Sequence, residues 1–213
     1  MMDLELDHFF ILTDKPIKAG EVLLEMGLKE SVSRNHKGQG TSNRRFEFSN
    51  GMLEILYIRD INEANNGPAK NLNLPKRIKN KDASPFGLIF RRRNDNTLNV
   101  PFDGWAYQPD FFEAPKAFHI GDNSENLAEP LCIYLPFIEP YKAQEKVGTF
   151  QTISHIRLTT TIKVQSKTLR FSGSAHKLDI VTENEHLLEL TLDRGKQQLT
   201  KDLRPILPLI IKW

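Results

Sequence analysis

Two stretches far apart in the chain carry the same pair of chemically capable residues. Leu6-Asp7-His8-Phe9-Phe10-Ile11 aligns on Ile153-Ser154-His155-Ile156-Arg157-Leu158, with the histidines in register and apolar residues matched at Phe9/Ile156 and Ile11/Leu158. Leu53-Glu54-Ile55-Leu56-Tyr57 aligns on Leu188-Glu189-Leu190-Thr191-Leu192, with the glutamates in register. Strand side chains alternate between faces, so each His or Glu points away from the apolar stripe beside it. Two imidazoles and two carboxylates form a hard-to-borderline donor set, suited to Zn²⁺, Ni²⁺, Mn²⁺ or Fe²⁺ with positions left for water or substrate oxygens. The second pair is closer in sequence than the first by about one helix. No helical pattern lies between Thr161 and Thr168, so the second half has lost its helix or follows another register.

Each of these residues also has a plainer reading. His8 can be a core histidine bonded to a carbonyl, and His155 can lie on a wet sheet face beside Arg157 and Thr159. A carboxylate inside an apolar strand is costly unless paired or metal-bound. Arg44 or Arg45 on the neighbouring strand would supply such a pair for Glu54. His36-Lys-Gly-Gln-Gly-Thr41-Ser-Asn43 is either the lip of a cavity, with backbone N–H groups freed to meet an anion, or an ordinary glycine-rich turn. Phe102, Trp105, Tyr107, Phe111 and Phe112 are either the wall of an apolar pocket or a satellite core.

The elements that must position these residues are legible in the first 60 positions. Leu4 to Thr13 reads as a strand, and Asp14 as a helix cap with Pro16 in the first turn. Ala19, Val22, Leu23 and Met26 fall at helical spacing, and Gly27 supplies the stop. Strands follow at Lys29–Asn35, Arg44–Ser49 and Met52–Arg59, the last two joined through Asn50-Gly51, a strong hairpin signal. Residues 60–84 read as a polar surface connection, 85–137 as short strands, 138–150 as a second linker. Trp105 to Tyr107 reads as part of an ordered loop. Ile153–Ile162, Leu169–Ser174, Lys177–Thr182 and Leu187–Asp193 read as strands of a worn copy of the first unit. The division is thus 1–60 as a first module, 61–150 as a connecting segment with additional strands, and 151–213 as a second, shortened module.

Composition narrows the function classes. The 213 residues hold 29 Lys+Arg against 27 Asp+Glu, without the basic excess of a general nucleic-acid binder. The basic clusters Lys76-Arg77-Lys79-Lys81 and Arg91-Arg92-Arg93 read as a solvated loop and the exposed end of a strand, the latter with anion binding as its alternative. Cys132 is the sole cysteine, which fits a reducing compartment. No secretory signal or membrane-spanning apolar run is visible, so the expected location is cytoplasmic, with neither nucleic acid nor membrane as partner.

As a set, Leu6-Asp-His8-Phe-Phe-Ile, the helix ending in Gly27-Leu28, the His36-to-Asn43 segment and Met52-Leu-Glu54-Ile-Leu resemble the glyoxalase-like domain of the vicinal oxygen chelate superfamily. The resemblance is close over residues 3–60, looser over 84–137 and faint after 150. It implies an α+β fold of paired βαβββ modules, forming a curved, largely antiparallel sheet around a cavity, with the second module degenerate. It further implies metal ligands on the first and last strands of each module, matched here by His8 and Glu54 and, through the internal alignment, by His155 and Glu189. The implied activity is a divalent-metal-dependent lyase, isomerase or dioxygenase reaction on a small oxygenated molecule. Glu54 or Glu189 would act as base, and Arg157, His36, Thr41 and Asn43 would hold substrate. The competing expectation is metal-free sequestration of a small molecule, as in the bleomycin-resistance-like branch. A homodimer is compatible with both, since some members build the site across two chains.

Overall fold

The computed structural model describes residues 4–94, 99–139 and 148–213. Part of the expected second linker, 140–147, and the start of the chain lie outside the described residues. The strands are β1 (Leu4–Leu12), β2 (Glu30–Ser31), β3 (Asn35–His36), β4 (Thr41–Phe48), β5 (Gly51–Ile58), β6 (Phe86–Arg92) and β7 (Gly104–Tyr107). They continue as β8 (Phe118–Gly121), β9 (Leu131–Tyr134), β10 (Ile153–Thr160), β11 (Leu178–Thr182), β12 (Leu187–Leu192), β13 (Thr200–Asp202) and β14 (Leu209–Lys212). The α-helices are α1 (Pro16–Glu25), α2 (Ile61–Asn66), α3 (Leu74–Lys79) and α4 (Lys167–Ser172). None of them is long and apolar enough to cross a membrane.

The strands form two open sheets, giving a mixed α+β fold. The first runs β2-β4-β5-β1-β6-β9-β8-β7, with β3 on β4; the second runs β11-β10-β12-β14-β13. Alternation along the strands decides which faces meet. Phe9 and Ile11 of β1, Leu53 and Ile55 of β5, and Leu88 and Phe90 of β6 are fully buried on one face. They share one core with Ile156, Leu158, Leu188, Leu190, Leu209 and Ile211 of the second sheet. Side chains one residue out of phase, Phe10, Leu56, Ile89, Leu131 and Ile133, form a separate apolar cluster on the far face of the first sheet. Asn50 ties the layers further, donating to the Ile153 carbonyl at 2.7 Å and accepting from the Ile153 N–H at 2.8 Å.

The first unit follows its sequence signals with local shifts. α1 buries Ala19 and Leu23, one turn apart, and the chain leaves it through Gly27 at φ +88. Asp14 does not cap it: Lys15 occupies the cap position without a side-chain bond, and the Lys15 N–H bonds the Thr13 hydroxyl instead. The hairpin turn lies at Ser49-Asn50, one residue earlier than expected, because Phe48 pairs with Gly51. The stretch 60–84 holds α2 and α3, helices too short for a clear sequence period, and Trp105 lies in β7.

The larger differences concern pairing. β1 is flanked by β5 in parallel and by β6 in antiparallel orientation. The first unit therefore continues its sheet through β6, β9, β8 and β7 of the connecting segment, while residues 153–212 make a sheet of their own. That sheet repeats the pairing order of the first. β10 lies parallel to β11 and antiparallel to β12, as β1 does to β5 and β6. β12 lies parallel to β14, which is antiparallel to β13, as β6, β9 and β8 are arranged. The helix after β10 is present as α4, over residues expected to be extended. Ser166 caps it by accepting from the Leu169 N–H, a signal hidden in a short polar stretch.

Candidate functional site

The far face of the first sheet carries a cavity of about 280 Å³. Its floor is the alternate residues of the central strands: His8 and Phe10 from β1, Glu54 and Leu56 from β5, Ile89 from β6, Leu131 and Ile133 from β9. Phe10 fits there because its ring lies over Gly87, where a Cβ would come within 2.0 Å of it. Phe111, Phe112, Phe118 and Phe137 wall one end, their rings tilted or edge-on to one another at centroid distances of 5.0–6.3 Å. The other end is polar, with Asp7, Arg34, His36, Gln39 and Arg45 beside His8 and Glu54.

A β-bulge shapes the polar end. Pairing between β1 and β6 slips between Leu6 and His8, leaving Asp7 out of the ladder. Core-facing residues are Leu4 and Leu6 before the slip and Phe9 and Ile11 after it, so Asp7 and His8 emerge on the same face. Their side chains meet, His8 Nδ1 to Asp7 Oδ2 at 2.5 Å, while Arg91 Nη1 approaches Asp7 Oδ1 at 3.0 Å. His8 Nε2 has no hydrogen-bond partner among the described residues. Burial acts to lower the His8 pKa, but the Asp7 bond and the negative charges of Glu54 and Asp7 outweigh it, so the imidazolium is favoured. Burial likewise acts to raise the Asp7 pKa and is outweighed by the His8 bond and the charges of His8 and Arg91, which lower it. Asp7 was not singled out in the sequence; the break in alternation from Leu4 and Leu6 to Phe9 and Ile11 is the signal that marks it.

Glu54 is buried to 8 % exposure and accepts from Asn43 Nδ2 at 2.9 Å. Arg45, opposite it in register, donates Nε to the Val32 carbonyl at 2.6 Å rather than pairing with it, and Arg44 is bound to Glu30. The glycine-rich segment is a turn from which His36 and Gln39 reach the cavity, and its backbone N–H groups at Gly38 and Gln39 are engaged within the protein rather than free for an anion. Gly38 and Gly40 take φ +80 and +72, and Gly38 N–H bonds Glu63. His36 lines the cavity and lies tilted against the Phe111 ring at a centroid distance of 5.2 Å. Its Nδ1 shares a bond with Thr41, and its burial lowers its pKa, favouring the neutral ring. Thr41 and Asn43 thus stand behind His36 and Glu54 rather than in the cavity wall.

His155, Glu189 and Arg157 are not brought to this cavity. All three lie on the open face of the second sheet. His155 meets Asp179 at 3.1 Å. Arg157 reaches Glu189 at 2.9 Å and also bonds Glu183, and Lys212 bonds the same Glu189. The histidines do correspond, since β10 slips between Ile153 and His155 as β1 does between Leu6 and His8. The glutamates do not. In that register Asp179, opposite Arg157, takes the place of Glu54, opposite Phe10, and Glu189 takes the place of Gly87. The basic clusters also read differently in space. Arg77 is buried and donates to carbonyls of Leu127, Glu129 and Ser124 at 2.7–3.1 Å, and Arg91 is buried against Asp7.

The metal implied by the family resemblance can be tested on the donors present. On the first sheet, β6 and β9 offer Ile89, Leu131 and Ile133 to the cavity where further ligands would be needed. Asp7 is engaged by His8 and Arg91, which leaves His8 Nε2 and Glu54 as a two-donor set. No group of three or more His, Cys, Asp or Glu able to hold a metal occurs among the described residues. Arg34 and Arg45 in the same wall further disfavour a cation. The donor set does not fit a divalent metal.

Fold and site together define a two-layer α+β protein with a cavity on the outer face of one layer. No protein-family model and no curated protein matches the chain. Among solved structures, it is similar to a hypothetical protein from Staphylococcus aureus at TM-score 0.54 and 10% identity, over 98% of this chain and 99% of that one. It is also similar to a triple mutant of 4-hydroxymandelate synthase from Streptomyces coelicolor, at TM-score 0.46 and 8% identity over 99% of this chain and 62% of that one. A hypothetical protein from Bacillus halodurans C-125 matches at TM-score 0.38 and 14% identity, over 68% of this chain and 99% of that one. The first likeness establishes a shared fold; at such identities no activity follows from any of them.

Proposed function

We propose that this protein is a glyoxalase-like small-molecule binding protein that holds its ligand in the first-sheet cavity without a metal ion. The observation that carries the reading is the cavity itself, which pairs a floor of Ile89, Leu131 and Ile133 and a wall of phenylalanines with one polar end. Such a cleft, mostly apolar with a few convergent polar groups, is the usual form of a small-molecule site. Its volume is about twice that of an engineered cavity that accepts benzene. Sequestration therefore accounts for the site better than a metal-dependent lyase, isomerase or dioxygenase reaction.

The test is a thermal-shift screen of small aromatic and aliphatic compounds on EDTA-treated protein, beside elemental analysis of protein purified without chelator. Ligands that stabilise the treated protein, and lose their effect in Ile133→Trp, support the reading. Near-stoichiometric metal that disappears in both His8→Ala and Glu54→Gln would overturn it and restore the metal-dependent alternative. A second reading, in which the cavity also transforms its ligand, has the Asp7–His8 pair in its favour, since an oriented imidazole is a candidate general acid. Turnover lost in His8→Gln with binding retained would establish that reading.

A further inference from the structure

We infer that the ligand is an amphipathic monoanion, its acidic head held at the Arg34, Arg45 and His8 end and its aromatic or alkyl body laid among the phenylalanines. This names the ligand class for the metal-free binding site proposed above, and rests on that proposal.

The two ends of the cavity differ in what they demand. Phe111, Phe112, Phe118 and Phe137 present hydrocarbon and ring faces, which reward a non-polar body at about 25 cal/mol per Å² removed from water. The polar end carries more positive than negative charge. Arg34 and Arg45 line it, and both act on the neighbouring His36, which places their fields inside the same space. Arg45 is anchored at Nε by the Val32 carbonyl, which fixes the guanidinium while its Nη groups make no bond to the described residues. Asp7 is already neutralised by contacts to His8 and Arg91. Glu54 is the remaining carboxylate, one of its oxygens held by Asn43. Against that single charge stand the two guanidinium groups of Arg34 and Arg45, the charge of His8 being matched by Asp7. His36, the other titratable group at this end, is held towards its neutral form by burial. A carboxylate or similar head is therefore matched, a neutral head gains little, and an ammonium head is opposed. The planar guanidinium fork suits a two-oxygen head in particular.

His8 gives the inference a pH signature. Its protonated form is favoured by Asp7 and Glu54, so the positive charge it brings to this end is lost as pH rises through its raised pKa. Binding of an anion should weaken over that rise, while binding of a neutral analogue should not change.

The experiment is calorimetric titration of the full, EDTA-treated chain with 4-phenylbutyrate, 4-phenylbutan-1-ol and 4-phenylbutylammonium. The three share a body and differ in the head. The acid should bind at least tenfold tighter than the alcohol, and the ammonium more weakly than either. Arg45→Gln should remove most of the preference for the acid and leave the alcohol unaffected. Raising the pH from 6 to 9 should weaken the acid alone, since its carboxyl stays ionised throughout. If the alcohol or the ammonium binds as tightly as the acid, or Arg45→Gln leaves the preference intact, the anionic class is wrong while cavity binding stands. If none of the three binds, the inference and the metal-free binding reading fail together.

Discussion

The outer face of the first sheet and the outer face of the second are built on the same lattice of strand pairs and have opposite characters. At matched positions the first has His8, Glu54, Phe10 over Gly87, and Ile133; the second has His155, Asp179, Arg157 against Glu189, and Lys212. Each face thus offers a histidine beside a carboxylate. On the first, loops and aromatic rings close over the pair and leave Glu54 at 8 % exposure. On the second the histidine is 41 % exposed and its partner 66 %, so water screens both. Residue type in register does not make a site; enclosure does.

The largest test of this comparison concerns what the faces share. Leu190 lies in the core between the sheets, so Leu190→Ala should lower stability by about 2–5 kcal/mol. Chemical denaturation followed by tryptophan fluorescence and by circular dichroism should still give one transition. Two transitions would show sheets that fold independently and would remove the basis for comparing them.

A reciprocal exchange comes next. Ile133→Lys places an ammonium on the cavity floor and should cost about 2–3 kcal/mol as well as abolishing ligand-induced thermal shifts. Lys212→Ile, the converse change on the open face, removes one contact to Glu189 and should stay within about 1 kcal/mol. Equal costs would mean that the two faces are not differently enclosed.

The smallest effect is in the pH dependence of stability. His8 has a raised pKa in the folded protein, so its contribution is complete below about 6.5 and is lost as pH rises through the folded value. Asp7 has a lowered one, so its contribution is present above the ordinary carboxylate value and is lost as pH falls through the folded value. Asp7→Asn should cost about 1–2 kcal/mol at neutral pH and flatten the alkaline limb of a melting-temperature profile. His155→Ala should leave that limb unchanged. A profile altered equally by both substitutions would erase the distinction between the faces.

How much of this was legible in the chain differs by range. β1, α1, β4 and β5 were readable because periodicity, Gly27 and the Asn50-Gly51 signal are local. His8 and Glu54 followed from them, and both face the cavity. The partner of β1 was not readable, because the β1–β6 ladder spans a long intervening stretch and its β6 side is a continuous apolar run without alternation. Nothing in Leu88, Ile89 or Phe90 shows which side faces the core. Glu189 matched Glu54 in local pattern, since both are single carboxylates in apolar strands, and only pairing partners tell them apart. Arg77 read as solvated because charge runs usually are; the carbonyls that hold it come from residues 124–129.

The slip in β1 recurs in β10, where Ser154 accompanies His155 as Asp7 accompanies His8. Each slip turns two consecutive residues into a doublet on one surface, a spacing that regular strands never offer. In the second sheet the doublet is spent on fastening a loop, Ser154 Oγ accepting from the Arg194 N–H at 2.7 Å. In the first, the same spare position holds a carboxylate that sets the charge of the histidine next to it. The backbone irregularity is thus common to both sheets, and the residue placed in it makes an anchoring point in one and a charge-setting point in the other.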